Sequence, residues 1–300
     1  METANRKDGR RGCLLAGCGY VGARLARRLG ERMPVLALVR SPGSSEALLA
    51  AGIPALALDL DQGSPTLAGR LPWPLDALVY LAPPSGTGAA DLRLGRFLDS
   101  LGAARPRVLL YLSTTGVYGD TGGAAVDEDS PTGPREDRSR QRLEAEQQVA
   151  RWSAAREVRG VVLRVPAIYG PHRLPLERLR RGEPVLRPED SGPGNRIQVD
   201  DLVDACLAAL ARPVTGPFNV TDGHPESMAA FTTRVAALAG LPAPPQITWA
   251  EAQQRLSPGL LAFLRESRLV RSRRGPELGW TPRHGHPETG IQASLREMGW

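Results

Sequence analysis

The chain has 300 residues, 41% of them hydrophobic, with 38 basic against 32 acidic side chains and a formal charge of +6. That composition is globular, neither fibrous nor disordered, and no apolar run approaches the roughly 20 residues needed to span a membrane. The basic residues divide as 37 arginines and a single lysine, Lys7, so chemistry that needs a lysine amine rests on one residue of the polar N-terminal stretch.

In chain order, Cys13–Ala16 reads as a buried strand and Tyr20–Leu29 as the helix after it. Val35–Val39 is a second strand with a helix over Ser45–Ala51, and Ala55–Leu58 is a third. Ala77–Leu81 is a fourth, with a helix over Asp91–Leu101, and Val108–Leu112 is a fifth. A polar helix covers about Ser139–Ala155, and Gly160–Val165 is the sixth strand. Continuous apolar strands alternating with helices predict a parallel sheet covered on both faces. The order is that of an α/β, Rossmann-like, doubly wound fold. Beyond residue 170, prolines crowd the chain at 171, 175, 184, 188 and 193. Helices are expected at Leu202–Ala211 and Met228–Leu238, with a strand at Phe218–Val220 between them.

The segment Leu14 to Gly22 carries G-x-G-x-x-G at Gly17, Gly19 and Gly22, directly after the first strand and at the start of the first helix. In that setting one glycine permits a tight turn, one lets backbone approach a pyrophosphate, and one lets the helix pack close on the strand. Tyr20 and Val21 open a helix whose free N–H groups and dipole favour an anion. A nicotinamide dinucleotide is the cofactor this implies. Where NAD binders often place Asp or Glu for the ribose 2′-OH, the second strand ends instead in Arg40. An arginine fork suits a 2′-phosphate, which favours NADP over NAD. The expected division is a dinucleotide-binding domain over 1–170, rejoined by 196–222, and a small C-terminal substrate lobe from 171–195 and 223–300.

Further motifs stand in order along the chain. Asp59-Leu60 follows the third strand, Leu81-Ala82-Pro83 the fourth, and Ser113-Thr114-Thr115-Gly116-Val117-Tyr118-Gly119 ends the fifth. Arg164-Val165-Pro166-Ala167-Ile168-Tyr169-Gly170-Pro171 ends the sixth, followed by Arg196-Ile197-Gln198-Val199-Asp200-Asp201-Leu202, Phe218-Asn219-Val220 and Glu277-Leu278-Gly279-Trp280-Thr281-Pro282. With the glycine turn, these resemble the short-chain dehydrogenase/reductase superfamily, in its extended NAD-dependent epimerase/dehydratase branch, over nearly the whole length. The resemblance implies that Asp59 and Leu60 contact adenine, and that Leu81, Ala82, Pro83 and Pro166 pass close to the cofactor.

That family usually combines Ser or Thr with a Tyr-x-x-x-Lys dyad. A tyrosine of pKa about 10 becomes a usable acid or base only when a neighbouring cation favours the phenolate. The matching stretch here, anchored on Glu146, puts Arg142 at the lysine position and Arg138 at the tyrosine position. The five tyrosines are at 20, 80, 111, 118 and 169, none of them between 119 and 168. The dyad is therefore missing in any register. An arginine stays charged and cannot pass a proton, so Arg142 is read as a cofactor-ribose or phosphate ligand and Arg138 as an anion stabiliser. Thr114 can donate a hydrogen bond to a carbonyl. The proton donor is sought among Tyr118, Tyr169, Glu136, Asp137 and His172, with Tyr169 favoured as catalytic against its alternative as a packing residue of the Y-G-P turn.

Ala167, where sugar-nucleotide members often carry Asn, and the short stretch from Pro171 to Arg196 argue against a large nucleotide-sugar substrate. Asp200 and Asp201 read as an N-cap and a dipole partner. The run Arg265 to Arg274, five arginines and one glutamate, reads as a solvated face. His284-Gly285-His286 lacks a third ligand, so no metal is expected. The apolar stretch Cys13 to Ala16 is too short for a signal peptide, and Cys13, Cys18 and Cys206 form no CxxC pair, which suggests a reducing cytoplasm. The expected partners are a small-molecule substrate of unknown identity and a second copy in a homodimer, with no membrane and no nucleic acid. Two functions remain: an oxidoreductase or epimerase/dehydratase-like enzyme acting on a small carbonyl or sugar-type substrate, and a catalytically silent NAD(P)-binding redox sensor or regulator.

Overall fold

The computed structural model describes residues 10–62, 66–67, 69–86 and 88–300. Lys7 lies outside the described residues. Seven strands form one parallel sheet: β1 (Gly12–Ala16), β2 (Val35–Val39), β3 (Ala55–Ala57), β4 (Leu75–Tyr80), β5 (Val108–Thr114), β6 (Arg159–Val165) and β7 (Gly216–Asn219). Their spatial order is β3-β2-β1-β4-β5-β6-β7. The winding reverses between β1 and β4, which leaves a crevice at their carboxyl ends, the place where such sheets bind ligands.

Alternation along the strands sorts side chains onto two cores. Leu15, Val79, Leu110 and Leu163 face Leu25 and Leu29 of α1 (Tyr20–Gly30) and Leu202 of α5 (Val199–Ala211). Leu14, Leu78, Leu109 and Val162 face Phe97 of α3 (Leu92–Ser100) and Val149 and Trp152 of α4 (Asp137–Arg156). Both sides of the central strands are thus dry, as the unbroken apolar runs require. The remaining sheet-side helix, α2 (Pro42–Ala50), begins ahead of the expected Ser45 because Ser41 caps it and Pro42 suits a first helical turn.

A further core lies off the sheet. Tyr169, Leu176, Phe231, Val235, Ile291 and Leu295 join α6 (Met228–Leu238) to α7 (Pro287–Glu297). Two short parallel pairings tie this region to the sheet ends, Ala167–Tyr169 with Arg196–Gln198 and Leu269–Val270 with Ala125–Val126.

The start of α5 corrects one expectation. Gln198 is the N-cap, its side-chain oxygen accepting from the N–H groups of Asp200 and Asp201. Asp201 instead accepts 2.9 Å hydrogen bonds from the N–H groups of both Arg283 and His284, and Asp200 faces Arg24 at 3.3 Å. Among the described residues no helix is long and apolar enough to cross a membrane, and Cys13, Cys18 and Cys206 are buried free thiols.

Candidate active site

A cavity of about 970 Å³ occupies the crevice. Its walls include Gly17, Gly19, Tyr20, Val21 and Gly22 at one end of the β1–α1 turn, and Arg40, Asp59 and Leu60 at the ends of β2 and β3. Leu81, Ala82 and Pro83 line it after β4, Thr114 after β5, Pro166 after β6, and Arg138 and Arg142 from α4. The expected cofactor residues therefore converge on one cleft with Thr114, Arg138 and Arg142, whereas Tyr169 does not line it.

Each glycine of the turn has a distinct steric role. Gly17 has φ +90°, and a Cβ there would lie 2.4 Å from the Ala82 nitrogen. A Cβ at Gly22 would meet the Gly17 carbonyl oxygen at 2.8 Å, so the helix sits against the turn with no space between. Gly19 differs, because a Cβ there would meet nothing within 4 Å. Gly19 is also the N-cap of α1 and offers no side chain to its free N–H groups. The backbone at this point stands open to the cleft with donors exposed, which is what close approach of a pyrophosphate demands.

At the β2–β3 end, Arg40 is exposed at the cleft wall. Asp59 accepts from the Asp61 N–H at 2.9 Å, holding its loop in a turn. Asp61 in turn binds Arg93, whose guanidinium also donates to the Pro83 carbonyl at 2.7 Å. That hydrogen bond with Arg93 keeps the Asp61 carboxyl below its usual range. Arg93 thereby clips the loops after β3 and β4 together beside the cleft.

On α4, Arg142 donates to the Leu112 carbonyl at 2.8 Å, to the Tyr111 hydroxyl at 3.1 Å and to the Ala82 carbonyl at 3.3 Å. It braces the ends of β4 and β5 while remaining on the cleft wall. Arg138, one turn earlier, is exposed on that wall. Glu146 is buried below them and accepts from Ser113 at 2.5 Å and from Arg164 at 2.8 Å. Arg164 also donates to the Tyr118 hydroxyl at 3.0 Å, which donates to Asn219 at 2.8 Å. Tyr118 is thus committed to the core network. Thr114 accepts from the Gly116 N–H at 3.1 Å, which leaves its hydroxyl proton for a ligand.

Tyr169 is placed elsewhere. On the short strand after β6, Ile168 turns to the main cleft while Tyr169 packs edge-on to Phe231, ring centroids 5.2 Å apart. Its hydroxyl abuts Gly290 of α7, and burial pushes the phenol far above its usual range. Tyr169 thus packs off the main cleft, on the wall of a smaller adjoining cavity. His172 is also off the cleft walls, its N–H directed at the Met298 sulfur at 3.2 Å. Of the candidate donors, Glu136 alone lines the cleft.

The structure adds Glu266 and Arg268, which line both this cleft and a smaller adjoining cavity of about 250 Å³. They are hydrogen-bonded to one another, and Arg268 donates to the Gly119 carbonyl at 2.9 Å. Burial, reinforced by Glu136 and Asp120, raises the Glu266 carboxyl above its usual range even against the neighbouring Arg268. The run Arg265 to Arg274 is therefore not a simple solvated face. It crosses the site, and the signal available in sequence was only the lone glutamate among arginines.

A sequence model of the NAD-dependent epimerase/dehydratase family matches residues 13–221. The chain is similar to a conserved protein of unknown function from Silicibacter pomeroyi, with 33% identity, 95% of this chain and 99% of that one covered, and a TM-score of 0.81. UDP-glucuronic acid 4-epimerase from Bacillus cereus, solved with NAD, shares the fold at 16% identity and a TM-score of 0.75 over 96% of this chain and 98% of the epimerase. A 3-diazoavenalumate denitrifying reductase from a Streptomyces species is 28% identical over 204 residues, 62% of this chain. The match spans 64% of the length of that reductase.

Proposed function

Because the chain belongs to the NAD-dependent epimerase/dehydratase family, we propose that the large cleft holds a nicotinamide dinucleotide and that the protein is a reductase of a small unsaturated substrate. The observation that carries this reading is the division of labour in the glycine turn, closed at Gly17 and Gly22 and open to the cleft at Gly19. When bound, the dinucleotide supplies the hydride chemistry. The N–H groups at the start of α1 bind the pyrophosphate oxygens, and Asp59 and Leu60 flank the adenine. Arg40, with no competing carboxylate expected from its strand, binds a 2′-phosphate and sets a preference for NADP.

At the other end, Thr114 donates to the substrate's polarised group and Arg138 stabilises the charge that develops there. Arg142 orders the cleft wall and presents its guanidinium to the ribose. Glu266 delivers the proton, a role supported by its raised carboxyl and its position between the two cavities. The likeness to a reductase supports this direction of reaction. Three buried free thiols support a reducing, cytoplasmic setting.

The test is a fluorescence titration with NADPH and NADH, followed by a screen for NADPH consumption with small carbonyl compounds and the variant Glu266→Gln. Binding with turnover that falls at least tenfold in Glu266→Gln supports the reading. A second reading, a silent redox sensor, is favoured by one observation: arginines stand at both positions of the missing dyad. Tight NADPH binding without turnover of any substrate would select it.

A further inference from the structure

The smaller cavity, about 250 Å³, falls below the roughly 300–1,000 Å³ typical of ligand pockets, which suits a small ligand. One side of it is apolar, formed by Ile168, Met228, Phe231 and Leu264. Much of its polar wall is already engaged. Asn195 bonds the backbone of Arg268 and Val270 at 2.9 and 3.1 Å, and Thr232 donates to the Met228 carbonyl at 2.8 Å. Arg178 is paired with Glu183 at 2.7 Å, and Arg268 with Glu266.

Arg196 is different. Only 6% of it is exposed, and its guanidinium lies 4.4 Å over the Phe231 ring. One nitrogen donates to the Glu226 carbonyl at 2.8 Å, and among the described residues no carboxylate lies within ion-pair distance of it. Asp222 and Glu226 are near enough to be felt, but Glu226 pairs with Arg234 at 3.2 Å and Asp222 is held towards its neutral form by burial. Arg173 stands at the rim shared with the large cleft, over the Tyr20 ring at 4.1 Å and likewise without a carboxylate within ion-pair distance among the described residues. A buried guanidinium facing a cavity costs stability until an anion meets it.

We propose that this cavity takes a small organic carboxylate, its carboxylate forked on Arg196 and its apolar body laid against Phe231 and Met228. The planar fork matches a carboxylate in two parallel hydrogen bonds. One buried cation balances one charge, so a dianion such as a phosphate monoester would carry unpaired charge into the apolar side. As the substrate of the proposed reductase, the carboxylate end is the handle that fixes the reducible group beside Thr114 and Glu266. That substrate role rests on the reading of the large cleft given above, whereas binding of the carboxylate does not.

The experiment is calorimetric titration of the full chain with benzoate, with benzamide as its uncharged counterpart, and with inorganic phosphate, each with and without NADPH. Benzoate is expected to bind at least about tenfold more tightly than benzamide, the usual cost of losing charge-assisted hydrogen bonds. Arg196→Gln is expected to weaken benzoate at least about tenfold while NADPH affinity stays within roughly twofold, because Arg196 is not on the wall of the large cleft. Arg173→Gln, at an exposed position and so safe for folding, is expected to weaken benzoate about threefold. Equal affinity for benzoate and benzamide overturns the proposal, as does undiminished benzoate binding in folded Arg196→Gln or tighter binding of phosphate than of benzoate. If Arg196→Gln does not fold, the benzoate-to-benzamide ratio of the unaltered protein decides. Benzoate binding in a protein that ignores NADPH supports the carboxylate site and sinks the reading of the large cleft alone.

Discussion

Glu146 of α4 holds Arg164 of β6 through a 2.8 Å contact to Nη2 and two 3.2 Å contacts to Nε, with each side chain less than a tenth exposed. The pair sits directly beneath the cleft. Ser113 and Tyr118 complete it, so the ends of β5 and β6 and the middle of α4 are tied together. Arg142 lies one turn before Glu146 and braces the strand ends from above. The helix thus braces the strand ends through two arginine contacts, one above and one below the cleft floor.

Glu146→Gln should therefore destabilise the protein by about 3–5 kcal/mol, because it leaves the Arg164 charge buried without its counterion. Urea denaturation at neutral pH measures this. The double variant Glu146→Gln with Arg164→Met should recover a large part of the loss, since an uncharged pair of similar volume carries no desolvation cost. Double-variant stability no better than that of Glu146→Gln would show that the pair is not the source.

The glycine turn yields a paired prediction. Gly17→Ala puts a Cβ 2.4 Å from the Ala82 backbone at φ +90°, and should cost both stability and dinucleotide binding. Gly19→Ala places its methyl in open space, so melting should shift little while NADPH affinity falls by about tenfold or more. Thermal melting and a fluorescence titration separate the two. A Gly19→Ala protein with unaltered NADPH affinity would mean that the pyrophosphate does not approach there.

Arg40 tests cofactor choice. Arg40→Ala should weaken NADPH by roughly tenfold, the loss of charge-assisted bonds to a 2′-phosphate, and leave NADH within about twofold. Arg40 is exposed at the cleft wall, so folding is not at stake. Equal losses for the two dinucleotides would assign Arg40 to a group they share, such as the pyrophosphate.

The sheet with its helices was legible in sequence because its constraints are local. A strand of four apolar residues, a glycine turn and an amphipathic helix follow one another without interruption, and each strand's burial on both faces is written in an unbroken run such as Val108–Leu112. The region beyond the carboxyl ends of the sheet depends on distant pairings. Tyr169 faces α7 because its strand pairs with Arg196–Gln198, and no local pattern decides which way a three-residue strand turns. Glu266 and Arg268 reach the cleft because Leu269–Val270 pairs with Ala125–Val126 across about half of the chain. Gln198 was missed as a cap because glutamine is not among the residues that favour that position.

Asp222 gives the last prediction, in pH. Its side chain is 3% exposed, one oxygen accepts from the His224 N–H at 3.0 Å, and the other is buried without a hydrogen-bond partner. Burial pushes its carboxyl up to about 7, with nearby Glu226 and Asp201 adding to the rise and Arg196 opposing it. An aspartate in an unfolded chain titrates near 3.9. Between about pH 4 and pH 7 the folded protein therefore keeps a proton that the unfolded chain has released, so stability falls as pH rises through that window. Above pH 7 the full cost is present, at most about 4 kcal/mol by the usual conversion of a three-unit shift. Asp222→Asn carries no charge to bury and should lack this term. Other groups titrate in both proteins, so the telling quantity is the difference between them at each pH. Urea denaturation should find the variant's advantage growing from pH 5 to pH 8, by on the order of 1–3 kcal/mol. A difference that stays flat across that range would show that Asp222 is ionised in the folded protein throughout, with Arg196 as its effective counterion, and would also remove the uncompensated cation on which a carboxylate-binding cavity depends.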